Sequence, residues 1–330
     1  MTTTTRCTAH GSGLSFHGLL LSEWIKLSSL RSTVWCCGIM FILNIGLGAL
    51  LALSFQQRPD GTAALDQSFR VATGTVGIAF SQLVIAVLGA LVITGEYGTG
   101  MIRSTLTAVP KRLPALLSKA LVFALVTSVV SLASIFGAAL LAQLILSGKG
   151  LSLDLADGRA WGALIGGAAF LTLVGLVALI LGTIVRNSAA GISAALGLIL
   201  VAPIVLQIFA AVTRASWVQN VFEFLPSSAG SRLYGSAATP APTIPDMIVL
   251  DPGQALLVMI ARVLFFGIIA GILLKRRDAW PSASMPVGSS RRRITAPARR
   301  RGRTTGPGKL GDHDDCGNDR WMDRLLAGRE

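Results

Sequence analysis

The sequence predicts an all-α integral membrane protein: a six-helix transmembrane bundle with an N-terminal interfacial helix and both termini in the cytoplasm. Three observations carry that prediction. Of 330 residues, 52% are hydrophobic and only 14% charged, whereas soluble proteins carry roughly a quarter charged residues. The positive mean hydropathy of +0.66 comes from long uncharged stretches, six of which reach the roughly 20 residues that a helix needs to cross a bilayer. The lysines and arginines between those stretches fall unevenly on the two sides, and that bias sets the orientation.

Before the first stretch, Leu19 to Arg31 reads as a helix. On a helical period Leu20, Trp24 and Leu27 share one side, and Ser22, Lys26 and Ser29 another. A tryptophan flanked by basic residues suits a helix lying flat among lipid headgroups, with Glu23, Trp24, Lys26 and Arg31 as its interfacial residues. The alternative is an ordinary charged flank of a spanning helix. The spans themselves run over Val34–Phe55, Val71–Thr94, Leu116–Leu146, Ala160–Val185, Ala189–Val212 and Ala255–Leu274. The third exceeds what one bilayer requires, so it tilts or projects beyond the lipid. Only Arg186, Asn187 and Ser188 join the fourth and fifth, which makes them an antiparallel hairpin. The first apolar run starts well into the chain and is long enough to span, so no cleaved signal peptide is expected.

This gives a cytoplasmic N-terminus over 1–33, a six-span domain over 34–278 and a basic tail over 279–330. With the N-terminus inside, the inner face collects Lys26, Arg31, Arg103, Lys111, Arg112, Lys119, Arg186 and the run Lys275-Arg276-Arg277. The outer loops hold Arg58, Arg70, Lys149, Arg159, Arg214 and Arg232, diluted by Asp60, Asp66, Asp154, Asp157, Glu223, Asp246 and Asp251. The expected location is a cell membrane, crossed several times, with both termini cytoplasmic. Much of the net charge of +13 comes from Arg291 to Arg293, Arg299 to Arg301 and Arg303, set among Pro, Gly, Ser and Thr. Such a segment buries no core and reads as a disordered, solvated tail drawn to anionic lipid; nucleic acid is not an expected partner.

Catalytic signatures are missing. His10, His17 and His313 lie outside the predicted helices and offer no H-E-x-x-H site. The run Gly191-Ile192-Ser193-Ala194-Ala195 lacks the last glycine of a nucleophile elbow. Gly306-Pro307-Gly308-Lys309-Leu310 lacks the first glycine and the hydroxyl of a phosphate-binding loop. The four cysteines, Cys7, Cys36, Cys37 and Cys316, have no metal spacing and form no disulfide framework. No catalytic residue, metal or directly bound cofactor is therefore expected. Work against a gradient would need a nucleotide hydrolysed on another chain. Inside the spans the polar residues are mainly Asn44, Gln82, Gln143, Gln207 and Arg262, too few titratable groups for ion coupling. The amides are expected to hold helices together. Arg262 either snorkels to the outer interface or lines a path. Gly162 with Gly166, and Gly267 with Gly271, have the spacing for close helix approach, within the subunit or between copies.

The segment between the second and third spans, 95–112, is the most informative. Glycines at 95, 98 and 100 permit a sharp turn, after which a short helix fits Met101 to Ala108 and stops before Pro110. Met101, Thr105 and Val109, and likewise Ile102 and Leu106, repeat every four residues and give an apolar face on a piece too short to span. Such a helix suits a groove on a partner protein. Glu96 lies close enough to Arg103, or to the basic residues after Pro110, to pair with one of them.

The order of Glu96, Gly98-Thr99, Arg103, Leu106, Pro110, Lys111-Arg112 and Lys119 resembles the signature of permease subunits of the type-two ABC exporter family, in its actinobacterial form. Glu23-Trp24, Lys26, Leu30 to Thr33 and Trp35 resemble that family's elbow helix, and Leu225 to Gly230 is similar to its segment before the last span. The resemblance covers about residues 14–278. It implies a half-transporter that pairs with a second copy or a paralogue and with a separate ATPase subunit carrying ATP and Mg. It also implies that Glu96, Gly98, Thr99, Met101, Ile102, Arg103, Leu106, Pro110, Lys111 and Arg112 form the coupling contact. Cargo would be a hydrophobic or amphipathic drug, antibiotic, peptide or lipid, with no substrate residue assigned. Two other readings share the spans: a membrane-embedded sensing or interaction module, and an ion-coupled secondary transporter.

Overall fold

The structure, a computed structural model, describes residues 16–54, 63–101, 112–148, 158–213, 216–235 and 249–276. Among these residues every regular element is helical. Helix α1 (Phe16–Ser29) passes through Leu30 into α2 (Arg31–Leu53). Then come α3 (Ala63–Thr75), α4 (Ile78–Thr99), α5 (Arg112–Ser147) and α6 (Gly158–Val185). Helix α7 (Ser188–Leu196), a π-helical turn (Gly197–Val201) and α8 (Ala202–Thr213) form one continuous rod, followed by α9 (Ser216–Glu223), α10 (Pro226–Tyr234) and α11 (Pro252–Arg276).

Six segments are long and apolar enough to cross a membrane: Arg31–Leu53, Phe69–Thr99, Leu113–Ser147, Ala160–Val185, Ser188–Thr213 and Pro252–Leu274. They coincide with the windows read from hydropathy, and the largest offset is at Thr99, where the second span continues past the expected Thr94. Gly95 and Gly98 do not turn the chain as their composition suggested. They sit inside α4, whose carbonyl ladder carries on through them, and the reversal falls on Gly100 at φ 73°, the left-handed conformation in which glycine has no steric penalty. Helix α1 starts at Phe16 and so takes in His17, which the sequence placed outside any helix. Helix α5 has 36 residues, about 54 Å at 1.5 Å per residue, and so extends beyond a bilayer core. Arg186 at φ 59° turns the chain between α6 and α7, and the Asn187 side chain caps α7 by accepting from the Ala190 N–H at 3.2 Å. The expected hairpin is there.

Lipid tails are as apolar as leucine, so packing between spans relies on close approach and on polar joints. Helices α4 and α6 meet at Gly89, where an added Cβ would lie 2.4 Å from the Gly175 carbonyl oxygen. Around that contact Phe123, Phe170, Ile85 and Leu179 are fully buried. Asn44 of α2, which is 1% exposed, joins three spans. Its Nδ2, with two N–H groups, lies within hydrogen-bonding distance of the Met40 carbonyl at 3.1 Å, the Ser81 hydroxyl of α4 at 2.8 Å and the Ser134 hydroxyl of α5 at 3.3 Å. Gln82 bonds the Ala79 carbonyl of its own helix. Of the two glycine pairs, Gly166 lies against the Leu233 carbonyl of α10 and Gly271 against Leu113 of α5, whereas Gly162 faces open space. Cys36 and Cys37 are free and partly buried.

Helices α9 and α10 depart furthest from expectation, because α10 packs into the bundle where an outer loop was expected. Gly230 of α10 presses on the ring of Phe170, 12 residues into α6 and so about 18 Å from its start. The Ser227 hydroxyl donates to the Ile199 carbonyl at 2.7 Å, within the π-helical turn, where the wider winding exposes a carbonyl. Ile199 lies 11 residues beyond Ser188, about 16 Å along. Both registers put the start of α10 near half the depth of a bilayer core of roughly 30 Å.

Replacing Gly89 by valine should overpack the α4–α6 contact and cost about 1–3 kcal/mol, read as a lowered thermal midpoint of the purified chain in detergent. Gly38→Ala, where an added Cβ meets nothing within 4 Å, should not lower it.

Candidate functional site

At the end of the bundle where α4 stops and α5 begins, four charged side chains from three helices close into a ring. Lys119 of α5 places its Nζ 2.5 Å from Glu23 Oε2 of α1 and 2.8 Å from Glu96 Oε1 of α4. Lys26 of α1 completes it, 2.7 Å from Glu23 Oε1 and 3.5 Å from Glu96 Oε1. Each carboxylate thus has two ammonium neighbours and each ammonium two carboxylates, and the ring is neutral. Neutrality matters because Glu23, Glu96 and Lys119 are 3%, 9% and 7% exposed. A lone charge so shielded from water would cost several kcal/mol.

The local sequence explains how each side chain arrives. In α1 the buried stripe is Leu19, Glu23 and Leu27, four residues apart and therefore on one face. Trp24, on the side expected to meet lipid headgroups, is 45% exposed, whereas Leu27, expected beside it, is 5% exposed and Glu23 faces inward. The reason is Lys119, a charge seven residues into α5 that needs a counter-ion. Glu96 pairs with Lys119 and Lys26; Arg103, an expected partner, lies outside the described residues. Arg31 opens α2, exposed and outside the ring.

Electrostatics follow from the geometry. Burial pushes the Glu23 carboxyl up, but the charge and hydrogen bond of Lys119, and those of Lys26, outweigh it and hold Glu23 below the ordinary carboxylate range. Burial pushes the Lys26 ammonium down, and its hydrogen bond to Glu23 with the charge of Glu96 reverses that, leaving it above the ordinary lysine range.

The ring borders a cavity of about 330 Å³ whose other walls include Leu27, Leu30, Val92, Met101 and Phe123. Of the predicted coupling residues, Gly98 and Thr99 end α4 on its exposed side, with the Thr99 hydroxyl bonded to the Gly95 carbonyl at 2.9 Å. Met101 is helical and 46% exposed. Ile102, Arg103, Leu106, Pro110 and Lys111, with most of the short helix expected over Met101–Ala108, lie outside the described residues. So do the side chain of Arg112 and the basic tail. Next to Glu96, the ring of Tyr97 receives the Arg186 guanidinium 5.6 Å from its centroid, a cation–π contact with the α6–α7 turn.

Sequence reasoning did not assign Lys119 a partner. The usable signal was its position, a single cation inside an otherwise apolar window. It also missed the pair of Glu223 and Arg232, where Nη2 and Nε donate to the two carboxylate oxygens at 2.8 and 3.2 Å. Arg262 donates from its Nη2 to the Phe224 carbonyl, just past the end of α9. Among the described residues no three His, Cys, Asp or Glu gather as a metal set. No family model matches the chain, and no curated protein is found similar to it.

Removing Lys119 leaves two buried carboxylates short of a cation, so Lys119→Gln should cost about 3–5 kcal/mol. Lys26→Gln, at the more open corner, should cost less than Lys119→Gln, since its ammonium is partly hydrated. Glu23 titrates lower folded than unfolded, so its contribution is complete above the carboxylate range and fades in acid. Lys26 titrates higher folded than unfolded, so its contribution is complete below the lysine range and fades in base. The thermal midpoint should therefore hold a plateau between about pH 5 and pH 10, with a shallower acid limb in Glu23→Gln.

Proposed function

We propose that the chain is the transmembrane subunit of an ATP-binding-cassette exporter. It would form the path for a hydrophobic or amphipathic molecule and couple through 95–112 to a separate ATPase chain that binds ATP and Mg. A second permease copy or paralogue would complete the path. In this reading the ring end of the bundle and both termini face the cytoplasm, and α1 is the elbow helix at the inner membrane surface.

The observation that supports it is the lock on Glu96. That residue sits at the head of the 95–112 segment and is tied through Lys119 and Lys26 to α5 and α1. A push delivered to the segment would reach three helices at once, because an ion ring resists separation of its members more than an apolar contact does in a membrane. Thr99 and Met101 follow on the exposed side, available to a partner, and the motif order resembles the exporter coupling segment.

The test is purification of the tagged chain from its native membrane in mild detergent, beside a variant with Met101, Ile102 and Leu106 made polar. An ATPase subunit should accompany the wild type and be depleted by about tenfold in the variant, the effect of some 1.4 kcal/mol. A wild-type complex kept intact yet containing no ATPase would overturn the reading.

A further inference from the structure

The re-entrant start of α10 collects three features that each favour an anion. First, α10 has nine residues and its N-terminus, near half depth, is capped by no side chain. Pro226 has no N–H and the Leu225 N–H is bonded to the Phe222 carbonyl, so the N–H groups left at this N-terminus are those of Ser227 and Ser228, beside the positive end of the helix dipole. Second, the hydroxyl of Ser228 in that turn is buried and without a hydrogen-bond partner, in a residue only 6% exposed. Third, Arg262 lies 10 residues into α11, about 15 Å along, and reaches the Phe224 carbonyl, two residues before Pro226. Its Nη1 has only the Met259 sulfur at 3.5 Å, and no carboxylate among the described residues pairs with it. Glu223, which adjoins Phe224, has both oxygens engaged by Arg232. The group Glu223, Arg232 and Arg262 thus carries one surplus positive charge near mid-depth, where a charge is costly unless something answers it.

We propose that the start of α10 and Arg262 bind the oxyanion headgroup, a carboxylate, phosphate or sulfonate, of an amphipathic molecule whose chain lies along the apolar spans. A broken helix whose N-terminus meets an anionic group at the midplane is a recurrent way of holding charged cargo in a membrane. The guanidinium adds a fixed fork of donors suited to oxyanions. That the bound amphipath is cargo rests on the exporter reading; the site itself does not.

Binding is measured on the full chain in phosphatidylcholine nanodiscs, with dodecyl phosphate and dodecyltrimethylammonium as probes of equal chain length. Dodecyl phosphate should bind at least about tenfold more tightly, a difference of some 1.4 kcal/mol. Arg262→Gln should abolish that preference, Arg262→Lys should keep part of it, and Ser228→Ala should weaken it several-fold. Arg276→Gln, at the far end of the same helix, should leave it intact. Equal affinity for the two probes would overturn the proposal. So would a folded Arg262→Gln chain that still prefers the phosphate, because Arg262 would then only cap α9. Displacement by inorganic phosphate as effective as by dodecyl phosphate would overturn the amphipath. No ATPase is needed, so a preference for the anion with no ATPase partner would sink the exporter reading and leave the site standing.

Discussion

Three charges held almost out of water at one end of a membrane bundle, with a fourth at their rim, have to neutralise one another, and the rest of that end is arranged around this need. Lys119 cannot sit seven residues inside α5 without counter-ions. Glu23 and Glu96 supply them from α1 and α4, and Lys26 balances the second acid. The constraint turns α1 so that its acidic residue faces the bundle and its tryptophan faces away. It also fixes where α4 stops relative to α5, and so where the connection 102–111 leaves and returns. Burial opposes each charge, and each is kept by two opposite neighbours.

The opposite half of the bundle follows a different rule. Its closure relies on shape: Gly230 admits the face of Phe170, Gly166 admits the Leu233 backbone, and a π-helical turn frees the Ile199 carbonyl for Ser227. Polar residues there are local clasps, Glu223 on Arg232 and Arg262 on Phe224, and they do not sum to zero charge. Among the described residues, the ring is neutral and Arg262 pairs with no carboxylate. Asn44 lies between the two, joining α2, α4 and α5, and anchors the spans about which either end would have to move.

The spans were legible because bilayer thickness imposes a length and an apolar composition that survive in any window of the chain. The hairpin at Arg186 to Ser188 was legible because so short a link leaves no other geometry. The ring was not, because its members are separated by up to 96 residues and each alone reads as an ordinary flank charge. Gly95 and Gly98 misled because glycine permits a turn without requiring one, and a helix inside lipid keeps its ladder where no water can replace it. The re-entrant helices escaped because α9 and α10 have eight and nine residues, less than half a span. Pro226 ahead of Gly230 was the one local hint, a helix start followed by a position able to meet a ring.

The central claim is that the ring acts as one unit joining α1, α4 and α5, and a double-mutant cycle tests it most directly. Glu96→Gln and Lys119→Gln are made singly and together, and the unfolding free energy of each is compared with wild type. If the ring is a unit, the double variant loses less than the sum of the singles by more than about 1 kcal/mol, since each single removal already strands the other charge. Losses that add to within about 0.5 kcal/mol would mean that Glu96 and Lys119 act independently, and the claim that the 95–112 segment is locked to the neighbouring helices through Glu96 would fall.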